Sequence, residues 1–137
     1  MGLKTTVVSA SSESQFEPAF TTAVDQRADA LMVFADPFFN SRRDQLAALA
    51  AHYRIPAIYE FRDYALAGGL MSYGPNIVEL YREVAHYAGR ILRGAKPSDL
   101  PIMQPTKFDF VINQKVARGL ALEVPDKLLA LADEVIE

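Results

Sequence analysis

A chain of 137 residues, half of them apolar, is long enough for one domain with a real core or for one lobe of something larger. Its formal net charge of −3 and isoelectric point near 5.4, with lysine and arginine scattered along the chain, argue against a nucleic-acid partner. The absence of cysteine excludes disulfides, thiolate metal sites and a cysteine nucleophile.

Taken in order, Leu3 to Ala10 reads as a strand, because β-branched Thr5, Thr6, Val7 and Val8 dominate it. Met1–Gly2 runs almost directly into it without a basic and then a long apolar region. The start therefore does not read as a signal peptide, and so abrupt an opening suggests a truncated piece. Ser14 stands as a helix N-cap with Glu17 at the capping-box spacing. Phe16, Phe20 and Val24 form one apolar face of a helix that ends near Arg27, with Pro18 tolerated in its first turn. Ala30 to Ala35 is a short continuous apolar run, as expected of a strand buried on both faces, and Asp36–Pro37 stops it. Asn40 or Ser41 caps the next helix, which buries Leu46, Leu49, Ala50 and Tyr53 and ends at Arg54.

Pro56 to Phe61 is the third strand. Strand, helix, strand, helix, strand with short links predicts a parallel, doubly wound α/β sheet with right-handed crossovers. After a polar turn and the pair Gly68–Gly69, Leu70 to Tyr73 reads as another strand, broken at Gly74–Pro75. Asn76 caps a helix over Ile77 to Arg93 whose broad stripe, from Ile77 through Tyr81 and Val84 to Leu92, demands a large partner surface. Gly94 ends it. A proline-rich extended connector leads to a strand at Phe108–Ile112, a short helix at Gln114–Leu120 and a closing helix begun by Pro125 over DKLLALADEVIE. No stretch is long and apolar enough to span a membrane as a helix.

In open α/β sheets a ligand sits beyond the carboxyl ends of the strands. The residues placed there are Asp36, Phe38 and Asn40 after one strand, Glu60 and Phe61 after the next, and Tyr73, Gly74 and Asn76 after the third. Aromatic walls with a few polar anchors suit a small molecule. Asp36 or Glu60 would meet a ligand amine, and the helix N-termini after Asn40 and Asn76 would offer N–H groups to a carboxylate. The plainer account makes Asp36–Pro37 a turn and Phe38 core. Tyr73 and Asp36 lead the set. His52 and His86 lack metal-ligand spacing, so no metal is expected, and Gly68–Gly69 lacks a phosphate-loop pattern, so no nucleotide cofactor is expected either.

The segments ADALMVFADPFF, RIPAIYEF, AGGLMSYGPN, ILRGAKPSDLPIMQPTKFDFVIN and PDKLLALADEVIE occur here in an order that resembles the carboxyl-terminal half of an ABC-transporter substrate-binding protein. The similarity runs from about Leu3 onward. It is to a bacterial group once catalogued as of unknown function, some of whose members bind aromatic amino acids. The resemblance implies a Rossmann-like sheet with flanking helices, the second lobe of a type I periplasmic-binding-protein fold. Residues 1–61 would be that lobe's βαβαβ core, 62–94 the hinge and the segment returning to the first lobe, and 95–137 the crossing back. A full member has roughly twice this length on the usual domain scale. The helix over Ile77–Leu92 would then lack its home surface and favour a homodimer, by helix exchange or mutual cover. The resemblance further implies an extracytoplasmic setting, a membrane permease as partner, and no catalysis.

Two other readings stand beside the binder. One is a small α/β enzyme with Asp36 or Glu60 as base. It is weakened by the lack of a nucleophile–base set, although fold alone does not decide. The other is a structural piece that binds nothing because half its cleft is elsewhere. An Asp36→Ala exchange separates the first two, since a binder loses affinity and an enzyme loses turnover.

Overall fold

In the computed structural model, which describes residues 2–137, five strands form one mixed sheet in the order β1-β2-β3-β4-β5. β1 (Leu31–Val33), β2 (Ala57–Tyr59) and β3 (Met71–Pro75) are parallel neighbours, with Leu31 opposite Ala57 and Tyr59 opposite Ser72. β4 (Phe108–Asn113) runs antiparallel to β3, and β5 (Glu134–Ile136) runs parallel to β4. Parallel neighbours need crossovers. Here α2 (Pro37–Ser41) and α3 (Arg43–His52) link β1 to β2, and α4 (Arg62–Leu66) links β2 to β3.

Strand alternation sends every second side chain to one face. Leu31, Val33, Ala57 and Tyr59 point into a core completed by Phe16 and Phe20 of α1 (Phe16–Asp25), Leu46 and Ala50 of α3, and Tyr64 of α4. On the opposite face Met32, Tyr73 and Phe108 stay exposed. Val111 and Ile112 are successive residues of β4 and both are buried, so β4 alone is covered on both sides at that end.

The expected elements from Phe16 to Asn113 form, with shifted boundaries. α1 buries Phe16, Phe20 and Ala23, while Val24 faces solvent. Ser14 does not cap it. A 3-10 turn at Glu13–Gln15 precedes the helix, and the Ser14 hydroxyl bonds Ser12 instead. Asn40 and Ser41 do not cap a helix either. Asp36 does, accepting the N–H groups of Phe38 and Phe39 through Oδ1, and α3 starts at Arg43 with no side-chain cap. The polar turn after β2 closes into α4 because Tyr64 and Ala65 can be buried there. β3 continues through Gly74 and Pro75, since antiparallel β4 supplies partners for both.

Two expectations fail outright. Leu3 to Ala10 joins no ladder, although Val8 and Ala10 lie beside the free edge of β1, and Leu3 and Val7 are exposed; β-propensity by itself does not make a strand. The closing helix stops after one turn, α7 (Asp126–Leu129), and Glu134–Ile136 become β5. The Asp133 N–H donates to the Phe110 carbonyl, and the Phe110 N–H to Asp133 Oδ2. The edge of β4 thus captures residues whose helical pattern competes with it.

α5 (Ile77–Leu92) forms as expected, with Asn76 Oδ1 accepting the Glu79 N–H, and Gly94 takes the left-handed conformation just past its end, at φ +99°. α5 buries no residue at all; Val78, Tyr81, Val84 and Leu92 stand exposed. The connector after it folds back far enough for the Tyr87 hydroxyl to donate to the Pro101 carbonyl. α6 (Gln114–Gly119) is capped by Asn113 Oδ1.

Tyr59 and Tyr64 stack with ring centroids 4.4 Å apart under α4. Burial, then the neighbouring Tyr64, pushes the Tyr59 phenol well above its usual value; burial pushes Tyr64 up to about 12. Both phenols resist ionisation in the folded chain only, so the unfolded chain holds fewer protons above pH 10 and stability falls as pH rises from there. The Tyr59 hydroxyl has no hydrogen-bond partner among the described residues. Tyr59→Phe is therefore expected to leave the melting temperature at pH 7 within a few degrees and to flatten its decline between about pH 10 and 12. An unchanged decline in thermal melts across that range would count against this assignment.

Candidate functional site

An open cleft of about 890 Å³ lies beyond the carboxyl ends of the three parallel strands. Each strand delivers its wall through the turn that follows it. After β1 come Asp36, Pro37 and Asn40, held by the Asp36 cap. After β2 come Phe61, Arg62 and Asp63, at the start of α4. From the end of β3 come Pro75 and Asn76, and α5 adds Ile77, Val78 and Tyr81. The far wall is Asp109 and Val111 of β4 with Asp133 and Glu134 at β5.

The wall is acidic, and most of its carboxylates already have work. Asp36 caps α2, Asp109 accepts from the Asn76 side chain at 2.8 Å, and Asp133 accepts the Phe110 N–H at 2.8 Å. Glu134 pairs with Arg62 at 2.5 Å. That hydrogen bond, and the Glu134 charge with it, raises the Arg62 pKa further. Asn40 Oδ1 is buried and has no partner among the described residues.

Of the residues singled out from sequence, the structure brings Asp36, Asn40, Phe61 and Asn76 together in this wall. It places the other four elsewhere. Phe38 stacks on Phe16 at 5.4 Å and packs against the core. Glu60 lies over Gly74, whose missing side chain leaves room for the Glu60 backbone. Tyr73 is 57% exposed on the open face of the sheet, stacked on Phe108 at 5.7 Å. Asp109, Asp133 and Glu134 escaped the sequence reading. They reach the cleft only through the β3–β4 and β4–β5 pairings, and no local motif marks them. A smaller apolar hollow of about 90 Å³ lies at the edge of β1, between Val8 and Ala10 on one side and Leu31 to Phe34 on the other.

A family model described as ABC transporter substrate binding protein matches residues 1–136. The chain belongs to that family. Solved structures share its α/β fold. A conserved domain protein from Vibrio cholerae is 22% identical with a TM-score of 0.81, over 89% of this chain and 41% of its own. An ABC domain from Streptococcus pneumoniae, solved in complex with L-Trp, is 24% identical with a TM-score of 0.79, over 90% of this chain and 42% of its own. A substrate-binding protein with adhesive properties from Clostridium difficile, in a ligand-free open structure, is 21% identical with a TM-score of 0.61, over 93% of this chain and 42% of its own. The chain thus spans about two fifths of the length of these structures. A search of curated proteins found no match. Among the described residues no helix is long and apolar enough to cross a membrane.

Proposed function

We propose that this chain contributes one wall of a solute-binding cleft in an ABC-type uptake system, without catalysis. The observation that carries this reading is the cleft itself, open beyond the carboxyl ends of β1, β2 and β3 in a member of the substrate-binding family. In this reading residues 1–61 form the core of one lobe, 62–94 the hinge and a segment directed to a second lobe, and 95–137 the return. The protein works extracytoplasmically beside a membrane permease. Asp36, Asn40, Phe61 and Asn76 touch the ligand, Glu60 and Gly74 pack together behind that wall, and Phe38 and Tyr73 take no part in it. An aromatic amino acid suits the mix of Phe61, Tyr81 and polar groups, and the L-Trp complex of the Streptococcus pneumoniae relative supports that class.

The exposed stripe of α5 favours a homodimer. A 16-residue helix that buries nothing leaves a contiguous apolar surface in water. The exposed sheet face bearing Met32, Tyr73 and Phe108 is a second surface of the same kind, so two copies can cover each other.

Native mass spectrometry tests both parts at once. The expected result is a dimer carrying an added mass equal to an aromatic amino acid, with Val84→Asp, which puts a charge in the α5 stripe, shifted to monomer. A bare wild-type monomer that also takes up no added L-tryptophan would overturn both the assembly and the ligand class.

A further inference from the structure

We propose that Arg62 is the anion anchor of this cleft, and that Glu134 is a placeholder which a ligand carboxylate displaces. The proposal rests on the solute-binding reading above and assigns the chemistry of its site.

Among the described residues lining the cleft, Arg62 is the one basic side chain. Its guanidinium is charged at any physiological pH and carries five N–H donors in a planar fork. A single one of them, on Nη2, is used, for Glu134 Oε2 at 2.5 Å. The remaining donors have no partner among the described residues, so a carboxylate that takes Nη2 from Glu134 gains a second, parallel bond that Glu134 does not make. Arg62 and Glu134 are 42% and 40% exposed in their side chains. An ion pair so well solvated contributes little to folding, so exchanging one carboxylate for another costs the fold little. Glu134 belongs to β5 and Arg62 opens α4, so the exchange loosens one contact between strand and helix and leaves the ladder intact.

The surroundings define what kind of anion fits. Asp63 and Asp109 both act on Arg62 through their charge, and Asp36 and Asp133 line the same cleft. A simple anion would be repelled by these four carboxylates together with Glu134. A zwitterion would not, because its ammonium group neutralises part of that field while its carboxylate takes the Arg62 fork. The site therefore disfavours simple anions and admits a carboxylate on Arg62 only from a ligand that also carries an amine.

Isothermal titration of the whole chain with L-phenylalanine, L-phenylalaninamide and benzoate separates the contributions. Wild type is expected to bind the amino acid at least tenfold more tightly than the amide, and to bind benzoate hardly at all. Arg62→Met should erase the preference for acid over amide. Arg62→Lys, which keeps the charge and loses the fork, should fall between. Glu134→Gln, which keeps the shape of the placeholder but removes its charge, should tighten the amino acid severalfold and weaken the cationic amide. A pair that merely braces the fold would lower the melting temperature in the Arg62 and Glu134 variants alike without moving the acid-to-amide ratio, and that result would overturn the proposal. Equal wild-type affinity for acid and amide would overturn it while leaving the solute-binding reading in place. No binding of any probe by wild type would remove both. Should a variant fail to fold, the NMR shift of the Arg62 Nη2 protons in wild type decides, since displacement of Glu134 from Nη2 must move it on addition of the amino acid.

Discussion

Gly74→Ala is expected to destabilise the chain by about 3 kcal/mol, at the upper end of what a single added methyl costs in a packed site. Gly74 is buried in β3 with Asp109 as its antiparallel partner. A Cβ there would fall inside contact distance of the Glu60 carbonyl oxygen, 2.6 Å from Glu60 Cγ and 2.9 Å from the Glu60 carbonyl carbon. A flexible side-chain end would swing away, but here two of the three atoms are backbone of the adjoining strand's end. Relief requires β2 and β3 to separate. That displaces Phe61 on one side and Pro75 and Asn76 on the other, all of which line the cleft. The melting temperature should drop by about 10 °C for a chain of this size, and ligand affinity should fall with it. A thermal melt of Gly74→Ala within a degree or two of wild type would show that the strand end is not packed this closely.

Phe16→Ala should cost about 3–5 kcal/mol, the range for deleting a buried aromatic ring. Phe16 is among the most buried large side chains, and it contacts the Phe38 ring at 5.4 Å and the Phe39 ring at 5.9 Å. Its ring also lines the small hollow beside β1, so truncation enlarges that void. Val24→Ala on the same helix is the internal comparison. Val24 is 42% exposed and should change stability by about 0.5 kcal/mol or less. Urea unfolding of the two variants side by side reads the difference, and equal losses would contradict the burial pattern of α1. The loss in Phe16→Ala should carry over to the site, because Phe38 and Phe39 follow directly on the Asp36 cap that holds one wall of the cleft.

Local order was legible from residues whose chemistry acts on their own neighbours. Asn76 caps α5 because its side chain reaches an N–H three residues on, and the stripe from Ile77 to Leu92 has helical period whatever surrounds it. The apolar runs at Leu31–Val33 and Ala57–Tyr59 became parallel strands because each is too short for a helix and is bounded by turn residues. The crevice beyond these strands follows from their parallel arrangement, and Asp36, Asn40, Phe61 and Asn76 reach it simply by coming next in the chain.

Tertiary structure decided whatever depends on a partner distant in sequence. Leu3 to Ala10 has the composition of a strand and passes beside the edge of β1, yet it forms no ladder there and stays outside the sheet. Glu134 to Ile136 have a helical pattern, yet β4 offers them a free edge and they become a strand. That one pairing brings Glu134 to Arg62, 72 positions away, and gives the cleft its ion pair. Tyr73 shows the same limit, since the strand alternation that puts Ser72 and Gly74 inside turns its ring to the opposite face. A sequence carries its capping and periodicity within a few residues, whereas pairing partners, sheet edges and the charges that face each other across a cleft are properties of the assembled sheet.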